Sequence, residues 1–435
     1  MKISKYISAM LVVLALLMLI SVYSFSDEND LFDVIDNGNI EEIQNKINIG
    51  NVNTKNREGE TLLIYAAKYV SNPKIIDVLV LKGADIEAKD NKGATALIRA
   101  IKDNNARTDI TAALINNRAG VNSKIEQYED FMYPLMIAAT RDNIDIIKFL
   151  IKAGANVNAI GKIEDETMTA LILASLDNEN PEAINILLSA GADINFRTEK
   201  DFTALLCAIG NKNPKIFEML IDNGADVTMT FNWFDKKTTI LHIYAEGGKD
   251  IKILDKLIFA GADINVKTSD NMTPLIYAAS LGKDEFVERL IDKGADVTVK
   301  SKAGKITALH MYAFSGKDTK ILDKLIAAGS DINAKADYNV NPTMTPLSFA
   351  VSAGNVVFVE TLINEGADVN ADSNILFYAL LKENLDVIKM LLAKGAIRNV
   401  DENNLVFYAH LNKCENPEII KAFQDAGYNA TVAKQ

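Results

Sequence analysis

The chain has 435 residues, is 49% apolar, and carries 58 acidic against 46 basic side chains for a formal charge of −12. That balance excludes a surface organised to neutralise phosphate, so nucleic acid is not an expected partner. Two cysteines exclude a disulfide-stapled fold, and the absence of any Ser/Gly-rich linker or low-complexity tract leaves no room for a separate catalytic domain.

First in chain order come Lys2 and Lys5, then the apolar run Ile7 to Phe25, then Ser24-Phe25-Ser26 ahead of the acidic Asp27 and Glu28. A basic start, an apolar middle and a small-x-small site describe a secretory signal, expected over residues 1–26. The alternative is an uncleaved anchor formed by residues 7–25, since the run is close to the roughly 18 residues needed to span a bilayer. Either reading places the remainder outside the cytoplasm, in the periplasm or secreted. No cysteine near the end of this segment supports lipid attachment.

Residues 27–55 read as an N-terminal capping unit, polarised by Asp33, Asp36, Asn37, Asn39, Glu41 and Glu42. Residues 56–400 then repeat one pattern. Leu63, Leu97, Leu135, Leu171, Leu205, Leu241, Leu275, Leu309, Leu347, Leu376 and Val406 each open a short apolar helix. In Thr273-Pro274-Leu275 and Thr345-Pro346-Leu347 a hydroxyl residue stands at the N-cap and Pro at the first helical position, where its missing N–H costs nothing. Small residues such as Ala278, Ala279 and Ala350 permit close stacking. A second helix with paired apolar residues, for example Leu290-Ile291, ends at a glycine such as Gly294, suited to a left-handed cap. Residues 401–435 read as a degenerate C-terminal capping repeat, with Lys413, Glu415, Asn416, Glu418 and Lys421 on its wet face.

Self-similarity at this period means stacked helix pairs. Thr273-Pro-Leu-Ile-Tyr-Ala-Ala279 with Gly294-Ala-Asp-Val-Thr298, and Thr239-Ile-Leu-His-Ile-Tyr-Ala245 with Gly261-Ala-Asp-Ile-Asn265, resemble the ankyrin repeat. The resemblance runs from about Leu31 to Gly427 and is carried by the recurrence, not by any single copy. It implies an all-α repeat solenoid of about twelve stacked helix pairs with projecting hairpin fingers. The resemblance also gives His242 and His310 a structural role, a side-chain hydrogen bond to neighbouring backbone. Departures are the frequent loss of Pro and Arg118 where the helix-ending Gly is expected, so that unit is predicted to be strained or differently terminated.

The opener-to-glycine distance is length-locked, as in Leu63 to Gly83 and Leu135 to Gly154, whereas the following finger varies, from Gly366 to Leu376 up to Gly329 to Leu347. Variation is thus expected where a partner touches. Phe231, Trp233 and Phe234 form an aromatic cluster on one long finger, Tyr128 and Phe131 (with Tyr133) decorate another, and Tyr338 a third. These rings are either binding anchors, with Trp233 the foremost, or fold back on their own hairpins. Tyr65, Tyr244, Tyr277, Met311, Tyr312 and Tyr378 are read as one helical offset packed between layers.

No zinc-protease, Cys-x-x-Cys, phosphate-loop or nucleophile-elbow pattern occurs, and the Asp of each Gly-Ala-Asp tag recurs for structural reasons. Cys207 and Cys414 lie six units apart, on the order of 50 Å at about 8–10 Å per layer, too far to pair. An intermolecular bridge requires an exposed Cys414. The expected function is therefore a non-catalytic scaffold that binds another protein, of open identity, through fingers and the concave helical face, without cofactor or metal. Alternatives are a membrane-tethered scaffold organising envelope proteins and, more remotely, an enzyme with a site on the solenoid edge.

Overall fold

The computed structural model describes residues 31–102, 107–127, 130–141, 143–177, 179–233, 236–338, 341–396, 411 and 413–428. The readings placed on residues 1–26, Tyr128, Phe234, Val406 and His410 lie outside these. The chain divides into two compact units, residues 1–225 and 226–435.

In the first unit a helical segment at 31–37 and Ile40–Lys46 precede five helix pairs. These are Leu62–Tyr69 with Lys74–Leu81, Ala96–Lys102 with Thr108–Asn116, Pro134–Ala139 with Ile144–Lys152, Ala170–Asp177 with Pro181–Ser189, and Ala204–Ala208 with Pro214–Asp222. The second unit repeats the plan through Ile240–Gly247 with Ile251–Phe259, Pro274–Ser280 with Asp284–Asp292, Ala308–Ser315 with Thr319–Ala327, Pro346–Ala353 with Val356–Asn364, and Ile375–Leu381 with Leu385–Ala393, and then Pro417–Asp425. Within each unit first helices pack on first helices of the next pair and second helices on second helices. The all-α repeat architecture expected from the sequence is what forms.

The openers explain the stacking. Leu63, Leu97, Leu135, Leu171 and Leu205 in the first unit, and Leu241, Leu275, Leu309, Leu347 and Leu376 in the second, are all 2% exposed or less. Each is shared between neighbouring layers, and full burial of such a side chain contributes about 1.5–3 kcal/mol. Three residues on, Ala66, Ala100, Ala138, Ala174, Ala278 and Ala350 are buried and keep the layers close.

Helix ends are set by short polar side chains. The Thr61, Thr203, Thr273, Thr307 and Thr345 hydroxyls accept the amide three residues on, starting the first helices. Second helices start on amide or carboxylate oxygens, from Asn143, Asn180 and Asn213 in one unit and Asp250, Asp318 and Asn355 in the other. Each such cap contributes about 1 kcal/mol.

The tyrosines depart from expectation because they occupy two offsets, not one. Tyr244 and Tyr312 stand where Ala is usual and are buried, their hydroxyls donating to the Asp250 carbonyl at 2.9 Å and to Asp284 Oδ1 at 2.6 Å. Tyr65, Tyr277, Met311 and Tyr378 sit one residue earlier and are only half-buried, Tyr65 standing edge-on to Phe32 at 5.1 Å and Tyr277 edge-on to His242 at 5.7 Å in the preceding layer.

Arg118 ends its helix as the glycines do. Its φ is 69°, and Ala119 N–H donates to the Leu114 carbonyl at 3.0 Å, as Ala84 does to Leu79 and Ala155 to Leu150. The unit is therefore strained but not differently terminated, since a side chain in the left-handed region costs about 1–2 kcal/mol. Part of any gain from glycine is offset by its greater freedom when unfolded, so Arg118→Gly is expected to stabilise by about 0.5–1 kcal/mol, read as a higher urea midpoint at unchanged slope.

Candidate functional site

The tag that closes each second helix ties adjacent layers together at the base of the fingers. Its fifth residue reaches the next layer: the Asn53 side-chain amide donates to the Gly83 carbonyl at 3.2 Å, and the Asp85 amide donates to Asn53 Oδ1 at 2.8 Å. Asn122 makes the same pair of bonds to Gly154 and Asn156, and Asn158 to Gly191 and Asp193. Glu87 takes this place with a longer side chain, accepting from the Gly120 amide and the Ser123 hydroxyl, both at 2.7 Å. The tag Asp stays local. Asp85, Asp193, Asp263, Asp331 and Asp368 each accept the amide two residues on, which fixes the turn.

On this base stand the fingers. Two consecutive ones join into a four-stranded antiparallel sheet of β1 (Ile125–Gln127), β2 (Asp130–Met132), β3 (Gly161–Ile163) and β4 (Glu166–Met168). Phe131 lies opposite Glu126 on one side and Lys162 on the other. The β3–β4 turn holds Glu164 and Asp165 at φ of 52° and 62°, pinned by a Glu164 amide bond to Asp130 Oδ1 at 3.0 Å. In the second unit β5 (Thr230–Trp233) pairs only with β6 (Lys236–Thr239), and β7 (Ala336–Tyr338) only with β8 (Asn341–Met344).

The aromatic candidates do not share one environment. Phe231, expected to be available to a partner, is 2% exposed, so its ring packs within the protein and is corrected from anchor to packing residue. Phe131 is half-buried, with Lys124 Nζ at 4.9 Å from its centroid and Tyr133 edge-on at 6.3 Å, so it folds back on its own finger. The backbones of Trp233 and Tyr338 lie in strands opposite Lys236 and Asn341, while their side chains, with Tyr128 and Phe234, lie outside the described residues.

The four-stranded sheet, the adjoining first helices and the next finger line an open cavity of about 370 Å³ that no sequence motif marked. Its apolar lining is Met132, Ile163, Met168, Leu173, Phe202 and the half-exposed Leu176, and its charged lining is Glu164, Asp177, Lys200 and the buried Glu166. Burial opposes charge on Glu166, but the Thr198 hydroxyl and the Lys200 amide and ammonium outweigh it and hold the carboxyl below the usual range.

Titratable groups elsewhere serve the fold. His242 and His310 are buried; the Thr239 and Thr307 amides donate to Nδ1 at 3.3 and 3.2 Å, while Nε2 donates to the Met272 and Ala334 carbonyls at 3.0 Å. An amide can only donate and a carbonyl only accept, so both rings are fixed as one neutral tautomer. Burial pushes both down to about 4. Where Ser348 replaces this His, its hydroxyl donates instead to buried Asp372 at 2.6 Å. Burial, with Asp177 nearby, pushes the Cys207 thiol up to about 12, and Cys414 is also buried, which removes the premise of an intermolecular bridge. Among the described residues no three His, Cys, Asp or Glu side chains gather as a metal site, and no helix is long and apolar enough to cross a membrane.

Comparison with known proteins agrees with this geometry. The family described as "Ankyrin repeats (3 copies)" matches residues 31–125, 105–198, 135–231, 241–336 and 335–404. The chain belongs to the ankyrin-repeat family. Among ankyrin-repeat relatives, the ankyrin repeat and KH domain-containing protein mask-1 of Caenorhabditis elegans is 31% identical over 62% of this chain and 8% of its own length. The putative ankyrin repeat protein FPV031 of fowlpox virus is 27% identical over 53% of this chain and 46% of its own. The E3 ubiquitin-protein ligase KEG of Arabidopsis thaliana is 25% identical over 61% and 14%. The chain thus spans less than half the length of each of these relatives.

Proposed function

We propose that this ankyrin-repeat chain is a non-catalytic scaffold that recognises another protein through its fingers and the first-helix face beside them. The observation that carries the reading is the contrast between locked helix pairs and individually shaped fingers, joined with apolar side chains left in water at the ends of first helices. Tyr69 and Leu176 in the first unit, and Leu281, Phe314 and Leu381 in the second, are 45–53% exposed, five or six residues after the opener of their first helix. Leu81 in the first unit and Phe259 in the second are more exposed, at 85% and 96%, and lie on second helices. Preordered fingers lose little entropy on binding, so many small contacts across layers add to useful affinity. Export through residues 1–26, or tethering through residues 7–25, is part of the proposal and rests on Lys2, Lys5, the apolar run and Ser24-Phe25-Ser26. Mass determination of the mature N-terminus separates those two.

The test is affinity capture with the mature protein and with two surface variants, Trp233→Ala/Phe234→Ala and Leu176→Asp/Phe314→Asp. Capture is expected to weaken by about tenfold or more in at least one variant with the unfolding midpoint unchanged. Undiminished capture by both variants would remove the fingers and the first-helix face from the account.

A further inference from the structure

The cavity under the four-stranded sheet combines an apolar lining with several carboxylates. Its floor is aliphatic, thioether and aromatic, from Met132 on β2, Ile163 on β3, Met168 on β4, Leu173 and Leu176 on Ala170–Asp177, and Phe202 on the next finger. Its charged groups are three carboxylates, Glu164, Glu166 and Asp177, against one ammonium, Lys200. Glu164 and Asp177 are exposed and, among the described residues, join no ion pair. Glu166 is only 4% exposed. Its Oε1 accepts the Lys200 amide at 3.1 Å, while Oε2 is ion-paired with Lys200 Nζ at 3.4 Å without a well-directed hydrogen bond, which leaves it capacity to accept one from an entering donor. A buried carboxylate oxygen with spare accepting capacity at an apolar cavity is costly unless a donor reaches it.

The geometry points to this cavity as a pocket for a Lys or Arg side chain of the partner protein, its aliphatic stem on the apolar floor and its cationic head among Glu164, Glu166 and Asp177. This rests on the scaffold reading above and specifies what the first unit recognises. A long basic side chain is the one protein group that matches both halves of the site, because it presents an apolar stem and a charged tip together. A purely aliphatic side chain would leave the carboxylates unanswered, and an acidic one would be repelled by a rim of net negative charge. Met132 and Met168 have the flexibility to close around stems of different shape. Lys200 is ion-paired with Glu166 and is displaced or shared when the cation enters, as its side chain is 60% exposed.

The test uses a positional library of decapeptides in which one central residue is fixed and the flanks are randomised, each pool titrated by fluorescence anisotropy against the full chain. Pools fixed as Arg or Lys are expected to bind more tightly than the pool fixed as Leu, and the pool fixed as Glu most weakly. Glu164→Gln/Asp177→Asn is expected to weaken the basic pools by roughly threefold to tenfold and to flatten their salt dependence. The 13C-methyl signals of Met132 and Met168 should shift with the basic pools in the parent protein. Pools that bind without a basic preference, pools that show no binding, or a preference untouched by the double substitution would overturn the inference. Partner capture that is retained by Glu164→Gln/Asp177→Asn but lost in Phe314→Asp, a residue outside the pocket, rejects this pocket while leaving the scaffold reading standing.

Discussion

Acidification from about pH 7 to about pH 4.5 is expected to lower the unfolding free energy of the second unit by several kcal/mol, through His242 and His310. Burial depresses both rings from the ordinary 6.5 to about 4, and Nδ1 facing an amide donor is compatible with the neutral form only. Between those values the unfolded chain binds a proton at each histidine and the folded chain does not. Stability is therefore fully present above pH 6.5, falls as pH drops toward 4, and levels off below that. A depression of this size is at most about 3 kcal/mol per histidine. Urea midpoints measured across this range in the parent and in His242→Ile/His310→Ile test it. Ile276 stands at the same place in the repeat between them and is buried, so isoleucine is compatible with the site. The variant loses the hydrogen bonds and is less stable at neutral pH by about 1–3 kcal/mol per site, but its midpoint should change far less with pH. An equally steep pH dependence in the variant would assign the effect to other groups.

Gly282→Ala is expected to cost about 3–5 kcal/mol, far more than Gly294→Ala in the same unit. Both glycines are left-handed, with φ of 61° and 88°, so each substitution carries a conformational cost of about 1–2 kcal/mol. Only Gly282 is also a contact between layers. A Cβ there would lie 2.2 Å from the Ser315 carbonyl oxygen and 2.9 Å from its carbon, at the end of the next first helix, whereas at Gly294 nothing lies within 4 Å. The obstruction is backbone, so relief requires the layers to move apart. Equal losses in the two variants, measured by urea unfolding, would mean that the stacking at this point is wrong.

The fold was legible because its signal is repeated. Leu63, Leu97, Leu135 and the later openers could be read as interlayer residues from spacing alone, and all that are described are buried. Tyr244 and Tyr312 are buried between layers as expected, whereas Tyr65, Tyr277, Met311 and Tyr378 reach only half-burial, because one residue of offset turns a helical side chain by about 100°. Structural Asp and Asn were recognisable as a class, but not the bonds Asn53, Asn122 and Asn158 send to the next layer, since these depend on how layers register in space.

Less of the candidate site could be read. Aromatic content drew attention to Phe231 and Phe131, which the structure buries or half-buries. The cavity depends instead on two long fingers being neighbours. Arg118 to Leu135 and Gly154 to Leu171 are each 17 residues and consecutive, so β2 and β3 can pair, whereas the fingers carrying β5–β6 and β7–β8 each form a separate two-stranded sheet. Finger length compared between neighbours, more than ring content, was the available signal. Glu166 carried none, because nothing in Asp165-Glu166-Thr167 marks a carboxylate as buried.

Amide hydrogen exchange of the full chain, alone and with the partner recovered by affinity capture, tests the central claim most directly. The account predicts new protection in β1 to β4 and in the exposed end of Ala170–Asp177, with the second helices Ile144–Lys152 and Pro181–Ser189 unchanged. Protection gained on those second helices while the fingers exchange as before would contradict it.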